Sequence, residues 1–244
     1  MAQTKDKLEF RLLAEFQKIF EGRVYMHRAS TQGDFVAMHL YEDLVLVNRS
    51  PTLVREIEEK RRVLNGQNRR HGVKGRRGDG TFGEIVPGEA AIVDEGFRVA
   101  RGIVATVEIG VKVKILAKAM IKQIDRVISD LRNQVAEFGK GGGNPICVGV
   151  VGVNHAEKYV GYEGDRAYPT TGKGGFLHPS QEAKEAERRL RELAAPAFDE
   201  FLLLQIPPVS SKPAGTNHDV LLSRDAKLAA DRRWAGDIRR ACEA

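Results

Sequence analysis

Cysteine is almost missing from this chain: Cys147 and Cys242 are the only two in 244 residues. Two isolated thiols make neither a disulfide framework nor a zinc cluster. Cys147 lies in the apolar run I-C-V-G-V-V-G-V and reads as a core thiol. Such sparing use fits a reducing cytoplasm. Long hydrophobic runs are missing as well. Nothing approaches the length of a membrane span, and the opening M-A-Q-T-K-D-K has no apolar leader core, so a soluble chain without a membrane partner is expected. The six histidines are scattered, with no pair at helical spacing for a metal. His155, at the end of V-N-H-A, reads as structural. No G-x-S-x-G elbow surrounds a serine. Thr171-Gly172-Lys173-Gly174 lacks the phosphate-loop spacing, and a glycine stands where Ser or Thr should follow the lysine.

Acidic residues are also absent locally. Between Lys60 and Arg77 there are eight Lys or Arg and no Asp or Glu. Gly66, Gly72 and Gly75 interrupt that run, so it cannot be one long helix. A cationic loop carrying Arg69, Arg70, Lys74, Arg76 and Arg77 is expected, suited to tracking phosphates. Arg232, Arg233, Arg239 and Arg240 add basic charge near the C-terminus. The formal net charge of +6 and a pI of about 9.3 favour a polyanionic partner, nucleic acid first.

Forty-two per cent hydrophobic and 30% charged residues describe a packed globular protein. The clearest local signal is Ala105–Leu116. Val107, Ile109, Val111, Val113 and Ile115 are β-branched and fall on every second position, which predicts a strand with one face in a core. Glu108, Gly110, Lys112 and Lys114 take the alternate positions, so the other face is expected to line up a carboxylate and two ammonium groups. Leu8, Leu12, Phe16 and Ile19 predict a helix over residues 5–20, with Thr4 as its cap. Residues 35–48 fit strand or helix. Pro51 then punctuates the chain, and 53–64 reads as a charged helix. Two short apolar runs around Asp94-Glu95-Gly96 predict a hairpin. Ile121, Ile124, Ile128, Leu131 and Val135 predict a helix over 117–137, stopped by Gly139. Residues 146–153 read as a strand covered on both faces. Residues 159–179 read as irregular, 181–195 as a helix capped by Ser180, and 201–206 as a strand. The expected architecture is a mixed α/β domain over residues 1–206, with its core in 84–206 and a central sheet flanked by helices. Residues 207–244 are expected to form a loop and a final helix outside that core.

Hydrolysing a phosphodiester requires a metal to offset charge, carboxylates to hold it and a cation near the attacking water. An acid two residues before a lysine on a strand supplies both groups on one face, ~6.6 Å apart. In its element order and in these residues the chain resembles the PD-(D/E)xK, or restriction-endonuclease-like, nuclease superfamily. The resemblance covers residues 5–20 and 90–153. It places the first acid at Asp94, the lysine at Lys114 and a site-facing glutamine at Gln123. The acid preceding that lysine should stand at position 112, where this chain has Lys112. Glu108 is four residues earlier, ~13 Å along a strand, and could serve one end of the site. Glu84, Glu89 and Glu95 are the other donors to which the acid could have moved. The resemblance implies a Mg²⁺-dependent (or Mn²⁺-dependent) endonuclease acting on DNA in restriction or phage defence, often as a homodimer. In that picture Asp94 and Glu108 bind the metal, and Lys112, Lys114 and Gln123 complete the catalytic set. Lys112 at an acidic position leaves a second reading, a non-catalytic nucleic-acid-binding or assembly module that kept the fold.

Overall fold

A computed structural model of the chain describes residues 10–12, 14–15, 31–65, 80–140, 143–157, 159–163, 166–170 and 177–206. The cationic run 66–79, the segment 207–244 and most of the expected helix over 5–20 lie outside these residues. Of that helix, Arg11–Leu12 and Ala14–Glu15 are helical.

Thr31–Val47 forms helix α1, which settles the segment left open between strand and helix. Its middle is apolar almost all round, which is how a doubly covered helix reads. Val36, Ala37, Met38, Leu40, Tyr41, Leu44 and Val45 are all buried. Two carboxylates are buried with them, and each clamps a neighbouring segment. Glu42 accepts the backbone N–H of Arg98 and Val99, each at 2.7 Å. Asp43 accepts those of Arg11 and Leu12 at 2.7 and 2.9 Å.

Helix α2, Pro51–Glu58, starts where Ser50 caps the Leu53 N–H and proline sits in the first turn. It stops earlier than the charge pattern suggested. Lys60 adopts φ 61°, and Arg62–Asn65 becomes strand β1, with Val63 and Leu64 buried. Gly80–Ile85 is β2, Arg101–Gly102 is β3 and Val104–Leu116 is β4. The expected hairpin around Asp94-Glu95-Gly96 shrinks to a turn, closed by Phe97 N–H to the Asp94 carbonyl, and a single bridge between Ile92 and Arg101. Phe97 ties the turn to α1 by packing edge-on to Phe35.

Helix α3 covers Met120–Gly139, a few residues later than expected and running through the glycine. Strand β5 is Ile146–Asn154. The stretch expected to be irregular contains a hairpin, β6 (Tyr159–Glu163) with β7 (Arg166–Thr170). Helix α4, Pro179–Arg189, is capped from His178, whose N–H donates to Gln181, and not from Ser180. It continues through a π-helical turn, Leu190–Ala194, toward β8, Glu200–Ile206.

The main sheet has the order β3-β1-β2-β4-β5-β8. Strands β1, β2 and β4 form an antiparallel meander, and β5 and β8 continue it in parallel with β4. One face packs on α1 and α2 through Leu64, Phe82, Ile109, Val111, Val113, Val148 and Val150, with the Tyr41 ring stacked on Phe82. The other face packs on α3 and α4 through Leu116, Val151, Val153 and Leu203. The result is a mixed α/β domain with helices on both faces of a six-stranded mixed sheet. Among the described residues no helix is long and apolar enough to cross a membrane.

Candidate functional site

Strand β4 determines where the expected site residues go, and its register has a break that its own alternation hides. Phe82 of β2 faces Ile109, but the next residue, Gly83, faces Val107. Glu108 is the extra residue of a β-bulge. A second shift, between Glu84 and Ile85, skips Ala105. Because side chains alternate with period two, each extra residue reverses the phase. Val107 therefore leaves the stripe of Ile109, Val111 and Val113 and packs instead with Val63 and Val104 on the opposite face. Gly83 permits this backbone approach: a Cβ there would lie 1.9 Å from the Thr106 carbonyl oxygen.

Glu108 accordingly points away from the lysines. Its carboxylate takes the Arg62 Nε at 2.7 Å, and the same guanidinium reaches Glu56 of α2 at 3.5 Å. Arg62 is also the cross-strand neighbour of Glu84. Burial pushes the Glu108 carboxyl above its ordinary range. Arg62 pulls it back, and the nearby charges of Glu56 and Glu84 add a smaller upward push.

Lys112 and Lys114 lie on the face covered by α3, along with Gly110 and Leu116. The Phe138 ring of α3 sits over Gly110 so closely that a Cβ would be 2.5 Å from it. Lys112 is only 8% exposed. Lys114 forms an ion pair with Asp130 of α3. The expected open polar face is thus a sheet–helix interface. Glu108 and Lys114 are not brought together, in contrast to the expectation of one shared face.

Asp94 is held elsewhere. Its two carboxylate oxygens take the Arg101 guanidinium, each at 2.5 Å. Arg101 opens β3, the edge strand, where its register partner is Leu64, which pairs with Phe82, which pairs with Ile109. Lys114 is three strands across and five residues along from Arg101, roughly 14 Å by roughly 16 Å on standard spacings. Asp94 and Lys114 do not converge on a single ion. Gln123 is exposed and donates to the Lys118 carbonyl at 2.9 Å, closing the first turn of α3. Glu89 and Glu95 are exposed. Arg69, Arg70, Lys74, Arg76 and Arg77 lie outside the described residues, in the segment that joins β1 to β2.

Sequence reasoning missed the grouping of Glu56, Arg62 and Glu84 with Glu108. Its one signal was Gly83, since a glycine within a strand marks a bulge or a close backbone approach. His155, read from the sequence as structural, makes a tie within the fold. Its Nε2 meets Glu187 at 2.5 Å, and Gln205 donates to the other Glu187 oxygen at 2.9 Å, so the ends of β5 and β8 are tied to α4. Burial raises the Glu187 carboxyl, but the bonds from His155 and Gln205 outweigh it, and the group sits below its ordinary range.

A divalent ion of the kind the resemblance implies needs several oxygen ligands converging on one point. Among the described residues no three His, Cys, Asp or Glu side chains are grouped so as to hold a metal. Around Glu108 the countercharge is already supplied by Arg62. Among the described residues, the donors around Glu108 do not by themselves make a Mg²⁺ site. No family model matches the chain, and neither does any curated protein or solved structure.

Proposed function

We propose that this chain is a nucleic-acid-binding module built on a restriction-endonuclease-like core, with DNA as the partner and no hydrolytic site on β4. The order of elements supports the core assignment: two helices, an antiparallel meander, a helix, then a parallel strand. The net charge of +6 and the five basic residues at 69, 70, 74, 76 and 77 support a polyanionic partner. The single observation that carries binding over cutting is the division of charge across β4, with Glu108 facing Arg62 on one side and Lys112 and Lys114 under α3 on the other.

One observation favours the second reading, a Mg²⁺-dependent endonuclease of restriction or phage defence, with the homodimer and cytoplasmic setting that go with it. Glu84, one of the donors to which the missing acid could have moved, lies on the strand beside Glu108. One experiment separates the two. Full-length protein is titrated with duplex DNA at several salt concentrations and, in parallel, incubated with plasmid and Mg²⁺ or Mn²⁺. Salt-sensitive binding with intact plasmid is the expected result. Cleavage that disappears in Glu108→Gln establishes the endonuclease instead. No affinity for DNA at any salt refutes both.

A further inference from the structure

We infer that the lysine ladder of β4 is the seat of α3 and takes no part in contacting phosphate. The inference deepens the binding reading above by removing Lys112 and Lys114 from the DNA surface. The geometry is continuous along one face. Gly110 leaves room for the Phe138 ring, Lys112 follows at 8% exposure, Lys114 pairs with Asp130, and Leu116 joins Met120, Ile124, Ile128 and Leu131 in one core. Gly110, Lys114 and Leu116 thus meet α3 by shape, charge and apolar packing in turn, and Lys112 is buried between them on the same face. Any side chain at position 110 larger than hydrogen would strike the ring. The same residues make the polar stripe that marks a catalytic strand when the sequence is read alone. Here the Lys114 ammonium group reaches the Asp130 carboxylate on the helix. At the start of α3, Glu182 of α4 accepts the Met120 N–H at 2.7 Å, so the helix is fixed at that end as well.

The test reads stability and DNA binding separately. Gly110→Ala should lower the urea midpoint sharply, and adding Phe138→Leu should recover part of that loss, because the shorter side chain vacates the space. Lys114→Met and Asp130→Asn should each lower the midpoint, with the double variant less affected than the sum of the two. Lys112→Met and Lys114→Met should leave the DNA affinity within about twofold and its salt slope unchanged. A lysine that contacts phosphate predicts the reverse, a slope smaller by about 0.9 per lysine with no coupling to Asp130. Additive midpoints for positions 114 and 130, or no recovery by Phe138→Leu, overturn the inference. If the wild type binds no DNA, the binding proposal fails while the stability arms still decide this one.

Discussion

Among the described residues, Asp43 carries a clear titration consequence. Burial raises its carboxyl from 3.8 to about 6, against the opposing pull of the Leu12 and Arg11 N–H groups and the Arg11 charge. A carboxyl whose pKa is higher in the folded chain than in the unfolded one favours folding when protonated. Its contribution is fully present below about pH 3.8 and is lost as pH rises through about 6. At 1.36 kcal/mol per pKa unit the swing is on the order of 3 kcal/mol. Asp43→Asn keeps one acceptor oxygen for these N–H groups and carries no charge. Its urea-derived stability should therefore be flatter than the wild type's between pH 4 and 7. A wild-type protein whose stability does not fall between pH 4 and about 6, relative to Asp43→Asn, contradicts this assignment. Glu42 differs in kind, because its bonds to Arg98 and Val99 fasten the Asp94–Phe97 turn to α1.

At the scale of elements, Gly83 has the tightest backbone approach of the described glycines. Replacing it with alanine would put a methyl carbon 1.9 Å from a backbone oxygen that has no side-chain freedom to yield. Gly83→Ala should cost ~3 kcal/mol or more, in the range of severe core lesions, whereas Gly88→Ala, with open space but φ 87°, should cost ~1 kcal/mol. Equal losses in urea unfolding at the two sites would contradict the bulge. The same glycine explains what the sequence could reveal and what it could not. β4 and β5 were legible because β-branched residues alternate in one and run continuously in the other, and α3 was legible from its helical stripe. β1 was hidden in a charged segment whose helical spacing ends at an unusual backbone angle, Lys60. β2, G-T-F-G-E-I, is too rich in glycine to announce a strand. The bulge lies in the pairing of two strands, so no periodicity of β4 alone reveals it. Without the bulge Glu108 would have stood beside the lysines, and the polar face would have read correctly as one surface. That one-residue shift accounts for Glu108 alone; Lys112 and Lys114 lie under α3 and Asp94 is held by Arg101 three strands away, for reasons that strand periodicity does not carry.

For the whole molecule, the charge distribution sets the terms of any encounter with DNA. The ion pairs among the described residues bind many of the cations internally: Arg62 with Glu56 and Glu108, Arg101 with Asp94, Lys114 with Asp130, Arg188 with Glu185 and Glu192. In the sequence the basic residues are densest between Asn65 and Gly80, where Arg69, Arg70, Lys74, Arg76 and Arg77 have no acidic residue until Asp79. The roots of that segment are adjacent, because β1 and β2 pair side by side, and Gly80 faces Val111 on β4. Changing all five to glutamine removes five charges without touching the described core. If each contacts one phosphate, counterion release predicts that the slope of log affinity against log salt becomes shallower by up to ~4.5 on duplex DNA. The thermal midpoint should stay within a few degrees of wild type, since none of the described core contacts involves these five side chains. A slope that stays unchanged after the five substitutions would move the DNA contact elsewhere on the molecule. A binding loss shared equally across salt concentrations would mean that a shaped contact, and not counterion release, had been removed.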